Sequence, residues 1–273
     1  MVTGRESLSR QRLAGSWLDT FQMLMGSRPH KPSFVIFETG QSGCMTLVKW
    51  FQARRVITFQ ENILSQKVQF PRLSVYQHIR QSEGEVYGFS VTVEQLRHVQ
   101  GLVDPNQFLQ DLRRGGCRVI YLRRRGALRQ AIAVLKTYNI HDQQDEKNHP
   151  SRPSHHRSTN SSTNKLTINV SELLACLQYL DHQRLEASAI LHDIPYLDLV
   201  YEDDLMDPNA YPQTAQKLST FLEDLDIIPV GSPIKLVHHQ LADIINNYAE
   251  VCEAIENSEY AYLLTDSRDL MTL

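Results

Sequence analysis

A glycine-containing turn follows the first strongly apolar segment of the chain and has the composition of an anion-binding loop. The segment Ser33–Glu38 (SFVIFE) is followed by Thr-Gly-Gln-Ser-Gly and then by a helical pattern at about Met45–Gln52. Backbone N–H groups at such a turn, together with a helix N-terminus, attract phosphate, and Gly40 and Gly43 permit the required backbone conformations. A Walker A motif is absent, because no Gly-Lys-Ser/Thr follows the glycines. An ordinary strand–helix turn is the alternative.

Three consecutive arginines form a second candidate anion site. Arg123–Arg125 follow the apolar segment Cys117–Leu122 (CRVIYL) and precede a helical pattern at Ala127–Tyr138. In open α/β folds, ligands bind where parallel strands end, and guanidinium groups bind phosphate through two hydrogen bonds. A solvated basic turn is the alternative. Together, the turn and the arginines could hold the two ends of one bis-phosphorylated nucleotide.

The elements that would position these residues are strands alternating with helices. Continuous apolar strands of this kind are buried on both faces, which is typical of a parallel sheet covered by helices. The sequence therefore predicts an α/β, P-loop-like three-layer fold with a central, mostly parallel five-stranded sheet flanked by helices. The five predicted strands are Ser33–Glu38, Val56–Phe59, Val86–Val91, Cys117–Leu122 and Tyr196–Tyr201.

The 273 residues are expected to form one domain, with a core at about residues 33–225 and C-terminal helices at 234–264. The segment His141–Lys165 contains no aliphatic or aromatic residue, so we predict a mobile loop within the domain. Such a loop could close over a substrate or be merely disordered. The longest predicted helix is Val170–His192, with Asn169 as its N-terminal cap.

Composition excludes several classes of protein. Twenty-eight Lys and Arg against 31 Asp and Glu give a net charge of −3, which does not fit a basic nucleic-acid-coating protein. There is no run of 18 apolar residues, and the first ten residues are polar, so neither a transmembrane segment nor a secretory signal is expected. The four cysteines are far apart and the histidine pairs lack zinc-ligand spacing, so we expect no metal site and a reducing, cytoplasmic location.

The chain resembles the PAPS-dependent sulfotransferases, especially the bacterial branch that modifies carbohydrates or lipids. In that family the first strand leads to Thr-x-(Arg/Lys)-Ser-Gly-(Ser/Thr)-Thr-x-Leu, which holds the 5′-phosphosulfate, and Thr39–Leu47 matches this loop. The segments Tyr201–Pro208 and Phe221–Leu222 resemble the family's Tyr-Glu-Asp-Leu segment and the helix after it. The resemblance implies that the donor loop comprises Thr39, Gly40, Gln41, Ser42, Gly43, Cys44, Met45 and Thr46.

The resemblance also implies a grip on the 3′-phosphate. The family has a strand, then an arginine, and a serine eight residues further on at a helix start. Arg125 has Ala133 at that spacing, although Arg123 and Arg124 compete for the role. The binding set for PAPS, the donor substrate, therefore includes Arg123, Arg124, Arg125 and Ala133.

Several residues depart from the family pattern. Gln41 stands where the family has a cation that neutralises the sulfate and the leaving phosphate, and Cys44 and Met45 replace hydroxyl residues. Ala133 replaces the serine, and Ser90 stands where a lysine is common. Placed at a helix N-terminus, Cys44 is also a candidate for a lowered thiol pKa.

The resemblance implies transfer of a sulfuryl group from PAPS to a hydroxyl of a carbohydrate, lipid or small metabolite. Glu61 follows the second predicted strand, where the family places its base, and would accept the acceptor's proton. Gln41 would contact the transferred group, and no metal is needed. Alternatively, Glu61 only faces solvent at a helix start, or the chain is a degenerate member that binds a nucleotide or a protein partner without catalysis. We expect no nucleic-acid partner, and the sequence does not indicate the acceptor or the oligomeric state.

Overall fold

The protein is described here by a computed structural model that covers residues 31–53, 56–148, 165–223, 225–230 and 240–265. Its centre is a five-stranded sheet in which every strand is parallel to its neighbours, in the order β2-β3-β1-β4-β5. The strands are β1 (Ser33–Glu38), β2 (Ile57–Gln60), β3 (Val86–Thr92), β4 (Cys117–Arg123) and β5 (Tyr196–Val200). The predicted α/β fold is confirmed, and the sheet is wholly rather than mostly parallel.

Strand β1 lies at the centre of the sheet, and all six of its residues are buried. It pairs with β3 from Ser33 opposite Tyr87 to Glu38 opposite Thr92, and with β4 from Ser33 opposite Cys117 to Glu38 opposite Leu122. The apolar run between Ser33 and Glu38 fits this position, because an inner strand is covered by helices on both faces.

Helices cover both faces of the sheet, which gives three layers. The α-helices are α1 (Cys44–Gln52), α2 (Pro71–Gln81), α3 (Pro105–Arg114), α4 (Ala127–Asn148), α5 (Val170–Ile190), α6 (Tyr211–Phe221), α7 (Leu241–Ile244), α8 (Tyr248–Glu256) and α9 (Tyr262–Thr265). Two π-helices, Gln95–Val99 and Tyr201–Leu205, and one 3₁₀ turn, Pro208–Ala210, complete the described structure.

The core has two layers, one on each side of the sheet. Val35 and Phe37 of β1 pack with α2, α3 and α5, whereas Phe34 and Ile36 pack on the opposite side with α1 and α6. This alternation follows from the two-residue period of a strand. A third apolar cluster joins α4 and α5 to the C-terminal helices.

Two predictions about the middle of the chain have different outcomes. Asn169 caps α5 as predicted, because its Oδ1 accepts hydrogen bonds from the backbone N–H groups of Ser171 at 3.0 Å and Glu172 at 3.4 Å. The loop predicted from His141 is wrong at its start, since α4 continues to Asn148. The rest of the predicted loop, up to residue 164, lies outside the described residues. No helix in the described ranges is long and apolar enough to cross a bilayer.

Candidate functional site

The strand order has a switch point between β1 and β4. From β1 the chain continues to β2 in one half of the sheet, and from β4 it continues to β5 in the other half. In open α/β sheets, ligands bind in a crevice outside the carboxyl ends of the strands at such a point. The Thr39–Gly43 loop follows β1, and the three arginines lie at and just after the end of β4, so both border the expected crevice. Arg124 Nη1 donates to the backbone oxygen of Gln41 at 3.4 Å. The two candidate elements from the sequence are therefore in contact.

The loop after β1 has an unusual backbone. Gly40, Gln41 and Gly43 have φ values of 86°, 49° and 89°, all in the left-handed region. For glutamine this conformation costs free energy, and strain of this kind is concentrated at functional sites. The space beside Gly40 is open, since a Cβ atom there would meet nothing within 4 Å.

Gln130, which the sequence analysis did not select, fixes this loop to α4. Its fully buried Nε2 donates to the Gly40 backbone oxygen at 2.7 Å and to Thr39 Oγ1 at 3.3 Å. Its Oε1 accepts from Arg184 Nη2 at 3.2 Å. In the sequence, Gln130 lies among the apolar residues that begin α4. A glutamine in that setting is expected to be buried, and its side-chain amide then needs hydrogen-bond partners for both its oxygen and its nitrogen.

Each of the three arginines pairs with a carboxylate from β5 or from the π-helix that follows it. The pairs are Arg123 with Asp198 at 2.9 and 2.7 Å, Arg124 with Glu202 at 3.5 Å, and Arg125 with Asp203. Arg124 is the most buried of the three, and its guanidinium lies 4.6 Å from the centre of the Tyr201 ring. Since it also contacts Gln41, Arg124 is the arginine closest to the candidate donor loop.

A carboxylate of the protein itself occupies the start of α4. Glu202 accepts hydrogen bonds from the backbone N–H groups of Arg125 at 2.8 Å and Gly126 at 3.3 Å. A helix N-terminus favours negative charge. Glu202 therefore satisfies the two amide N–H groups and balances the positive charge of the neighbouring Arg124. Any phosphate bound by these amides would have to replace this carboxylate.

Glu38, the last residue of β1, places a buried carboxyl group beneath the donor loop. Its pKa is raised from an ordinary value near 4.5 to about 7, mainly by burial and to a smaller extent by the charge of Glu61. The amide and hydroxyl of Ser42 and the thiol of Cys44 act in the opposite direction, because their hydrogen bonds favour the charged carboxylate. Glu38 is therefore a second ionisable group beside Glu61 in the candidate site, although nothing in the sequence pattern marks it.

Glu61 is exposed just beyond β2, within electrostatic range of Glu38. The next residue, Asn62, has a left-handed backbone, and its Oδ1 accepts from Gln95 Nε2 at 3.0 Å. Gln95 begins the π-helix after β3, and its Oε1 accepts from the backbone N–H of Thr92 at 3.0 Å. These contacts hold Glu61 at the same edge of the sheet as the donor loop.

The remaining candidate residues occupy varied positions. Met45 is exposed, Thr46 is half-buried in the first turn of α1, and Ser90 is buried in β3 opposite Ile36. Ala133 lies half-buried in α4 and offers no hydroxyl group. The hypothesis of a lowered thiol pKa for Cys44 is wrong: burial raises the pKa of the Cys44 thiol well above its usual range, and the charges of Glu38 and Glu61 raise it further.

Comparisons with known proteins do not assign the chain to a family. No protein-family model matches it, and no curated protein matches it significantly. Within the described part of the chain, no group of three His, Cys, Asp or Glu residues could hold a metal ion. The likeness to sulfotransferases therefore stays a prediction from the residues quoted above.

Proposed function

We propose that the protein is a sulfotransferase that moves a sulfuryl group from PAPS to a hydroxyl of a carbohydrate, lipid or small metabolite. The observation that carries this proposal is the 3.4 Å contact between Arg124 Nη1 and the Gln41 backbone oxygen. It supports a single site for both ends of a bis-phosphorylated nucleotide, because the loop amides and the guanidinium groups border the same crevice. The all-parallel sheet with its crevice between β1 and β4 is a suitable scaffold.

The residues present fit the nucleotide in part. The left-handed loop, the start of α1 and the open space beside Gly40 suit a phosphate group. Arg124 supplies a positive charge, although Glu202 now pairs with it. Gln41 can donate a hydrogen bond to the transferred group but carries no charge. In this proposal, nucleotide binding therefore requires a phosphate group of the ligand to replace the Glu202 carboxylate beside Arg124.

The chain's residues have distinct parts in the proposed reaction, which is an in-line displacement at sulfur. The acceptor oxygen forms a bond to sulfur while the bond from sulfur to the phosphate oxygen breaks. The Glu61 carboxylate takes the acceptor's proton, and the loop amides stabilise the charge on the leaving phosphate. Gln41 donates a hydrogen bond to the sulfuryl oxygens.

A second candidate function is binding of a nucleotide without catalysis. Two observations favour it: Gln41 leaves the loop without its own cation, and Glu38 places an ionisable carboxyl beneath the same loop. Loss of one stabilising donor alone typically lowers a rate by on the order of 10²–10³. A site with both features would still bind phosphate through its amides.

Calorimetry with PAP, the product nucleotide, tests binding. We expect micromolar affinity that falls by about tenfold or more in Arg124→Ala, with Arg123→Ala and Arg125→Ala measured alongside. Arg114→Ala is the matched control, since Arg114 pairs with Asp111 on α3, away from the crevice. No binding of PAP to the native chain would contradict both candidate functions.

Transfer of radiolabelled sulfate from PAPS into a cell extract separates the two candidates. The sulfotransferase proposal predicts labelled product that disappears in Glu61→Gln while PAP affinity is retained. PAP binding without any labelled product would favour the binding protein over the enzyme.

A further inference from the structure

A second cleft lies at the opposite edge of the sheet, where the strands begin. Its volume is about 520 Å³, and it is bordered by the starts of β1, β3 and β4 and by the ends of α3 and α6. Small-molecule sites commonly have volumes of about 300–1,000 Å³. The candidate nucleotide site is at the carboxyl ends of the same strands, so the two sites are separated by the length of the sheet.

The cleft has a surplus of positive charge although the whole chain carries −3. Its lining contains Lys31, Arg113 and Arg118 but a single carboxylate, Glu223. Glu223 pairs with Arg118, which also donates to the backbone oxygen of Phe221. The remaining two cations therefore determine the charge of the cleft.

Lys31 and Arg113 have no carboxylate partner in the described part of the chain. Lys31 Nζ donates to the backbone oxygen of Ser82 at 2.5 Å and to its Oγ at 2.8 Å, both of which are neutral acceptors. Arg113 is exposed in the last turn of α3, and its guanidinium makes no hydrogen bond or ion pair with any described residue. By contrast, its neighbour Arg114 pairs with Asp111 at 3.0 Å.

Part of the cleft lining is apolar surface, supplied by the exposed Pro32 and Pro195 and by the half-exposed Phe221. The guanidinium of Arg118 lies 5.6 Å from the centre of the Phe221 ring. Apolar surface beside cations is complementary to an organic anion that has an apolar body.

We propose that this amino-edge cleft is a binding site for an organic anion with an apolar body and an anionic head group. The apolar body would lie against Pro32, Pro195 and Phe221, and the head group would receive hydrogen bonds from Lys31 and Arg113. The site does not depend on the proposed sulfotransferase activity, since none of these residues belongs to the nucleotide site.

Calorimetry with octanoate tests this site on the full chain. We expect octanoate to bind, whereas octanol and octylammonium, which have the same tail without the negative charge, bind at least about tenfold more weakly. Arg113→Ala should weaken octanoate binding by about tenfold, and Lys31→Ala should have a similar effect. Arg113 is exposed, so its removal should leave the circular dichroism spectrum unchanged.

Arg114→Ala is the matched control and should keep the native affinity for octanoate. Addition of PAP should not displace octanoate, because the two sites lie at opposite edges of the sheet. The proposal would be overturned if octanoate fails to bind the full chain, if octylammonium binds equally well, if Arg113→Ala has no effect, or if PAP competes.

Discussion

The backbone of Gly43 packs directly against the ring of Tyr201: a Cβ atom at Gly43 would lie 2.1 Å from Tyr201 Cδ2. Gly43→Ala should therefore be strongly destabilising, because it combines overpacking with a left-handed backbone at φ 89°. We expect a loss of about 3 kcal/mol in the free energy of unfolding. Urea denaturation measures it.

Gly40→Ala is the matched control for that substitution. Gly40 has nearly the same φ, 86°, but a Cβ there would meet no atom within 4 Å. It should cost only about 1 kcal/mol, which is the backbone strain alone. Equal losses in the two variants would mean that Tyr201 does not restrict Gly43.

Glu38 should make the stability of the fold depend on pH. Its pKa is about 7 in the folded chain, above an ordinary value near 4.5, so the folded state binds the proton more tightly than the unfolded state does. The stabilisation from this group is complete below pH 4.5, decreases as the pH rises through 7, and is absent at higher pH. The total is on the order of 3 kcal/mol.

Glu38→Gln should remove that dependence, since the amide has a similar shape and does not titrate. Unfolding midpoints in urea at pH 5 and pH 8 should converge for Glu38→Gln and differ for the native chain. Glu61→Gln, which removes an exposed carboxylate beside the same group, should retain most of the difference. An identical pH dependence in Glu38→Gln and the native chain would contradict the role of Glu38.

Glu202→Gln should destabilise the fold, because Glu202 satisfies two backbone N–H groups and the charge of the partly buried Arg124. We expect a loss of about 2 kcal/mol in the free energy of unfolding, measured in urea. Asp203→Asn is the control: this carboxylate is half exposed and pairs with Arg125, so its removal should cost less than about 1 kcal/mol. A larger effect at Asp203 than at Glu202 would contradict this ranking.

Gln41→Arg should strengthen PAPS binding if the loop contacts the phosphosulfate as proposed. The new guanidinium would lie beside the leaving phosphate, and we expect about a tenfold gain in affinity by calorimetry. Gln52→Arg adds the same charge at the exposed far end of α1 and serves as control. An unchanged affinity in Gln41→Arg, or an equal gain in both variants, would count against the assigned loop.

The inner strands were predictable because burial on both faces leaves a continuous apolar sequence. The run Cys117–Leu122 corresponds to β4 within one residue. The edge strand β5, in which Tyr196 and Asp198 are exposed, also agrees within one residue with the predicted run Tyr196–Tyr201. The cap at Asn169 was equally accessible, because a side chain that bonds the next two or three amides is a local feature. The proximity of the donor loop and the arginines depends on the pairing of β1 with β4, which the strand pattern in the sequence does not predict.

Other features depend on contacts between distant parts of the chain. Nothing near Arg123–Arg125 indicates that Asp198, Glu202 and Asp203 neutralise them, because those acids follow another strand. The raised pKa of Glu38 arises from burial. Its position at the end of an apolar run suggests burial but does not establish it. The continuation of α4 to Asn148 was missed because its last residues have no apolar period.

The central position of β1 has a consequence for how the chain acquires its structure. Both neighbours of β1 are distant in sequence, and β4 emerges only after β2, β3 and their helices. Pairing over such separations requires closure of long loops, which slows folding. During synthesis, β1 is therefore made before either of the strands that pair with it. Until they are made, its apolar side chains need protection from self-association.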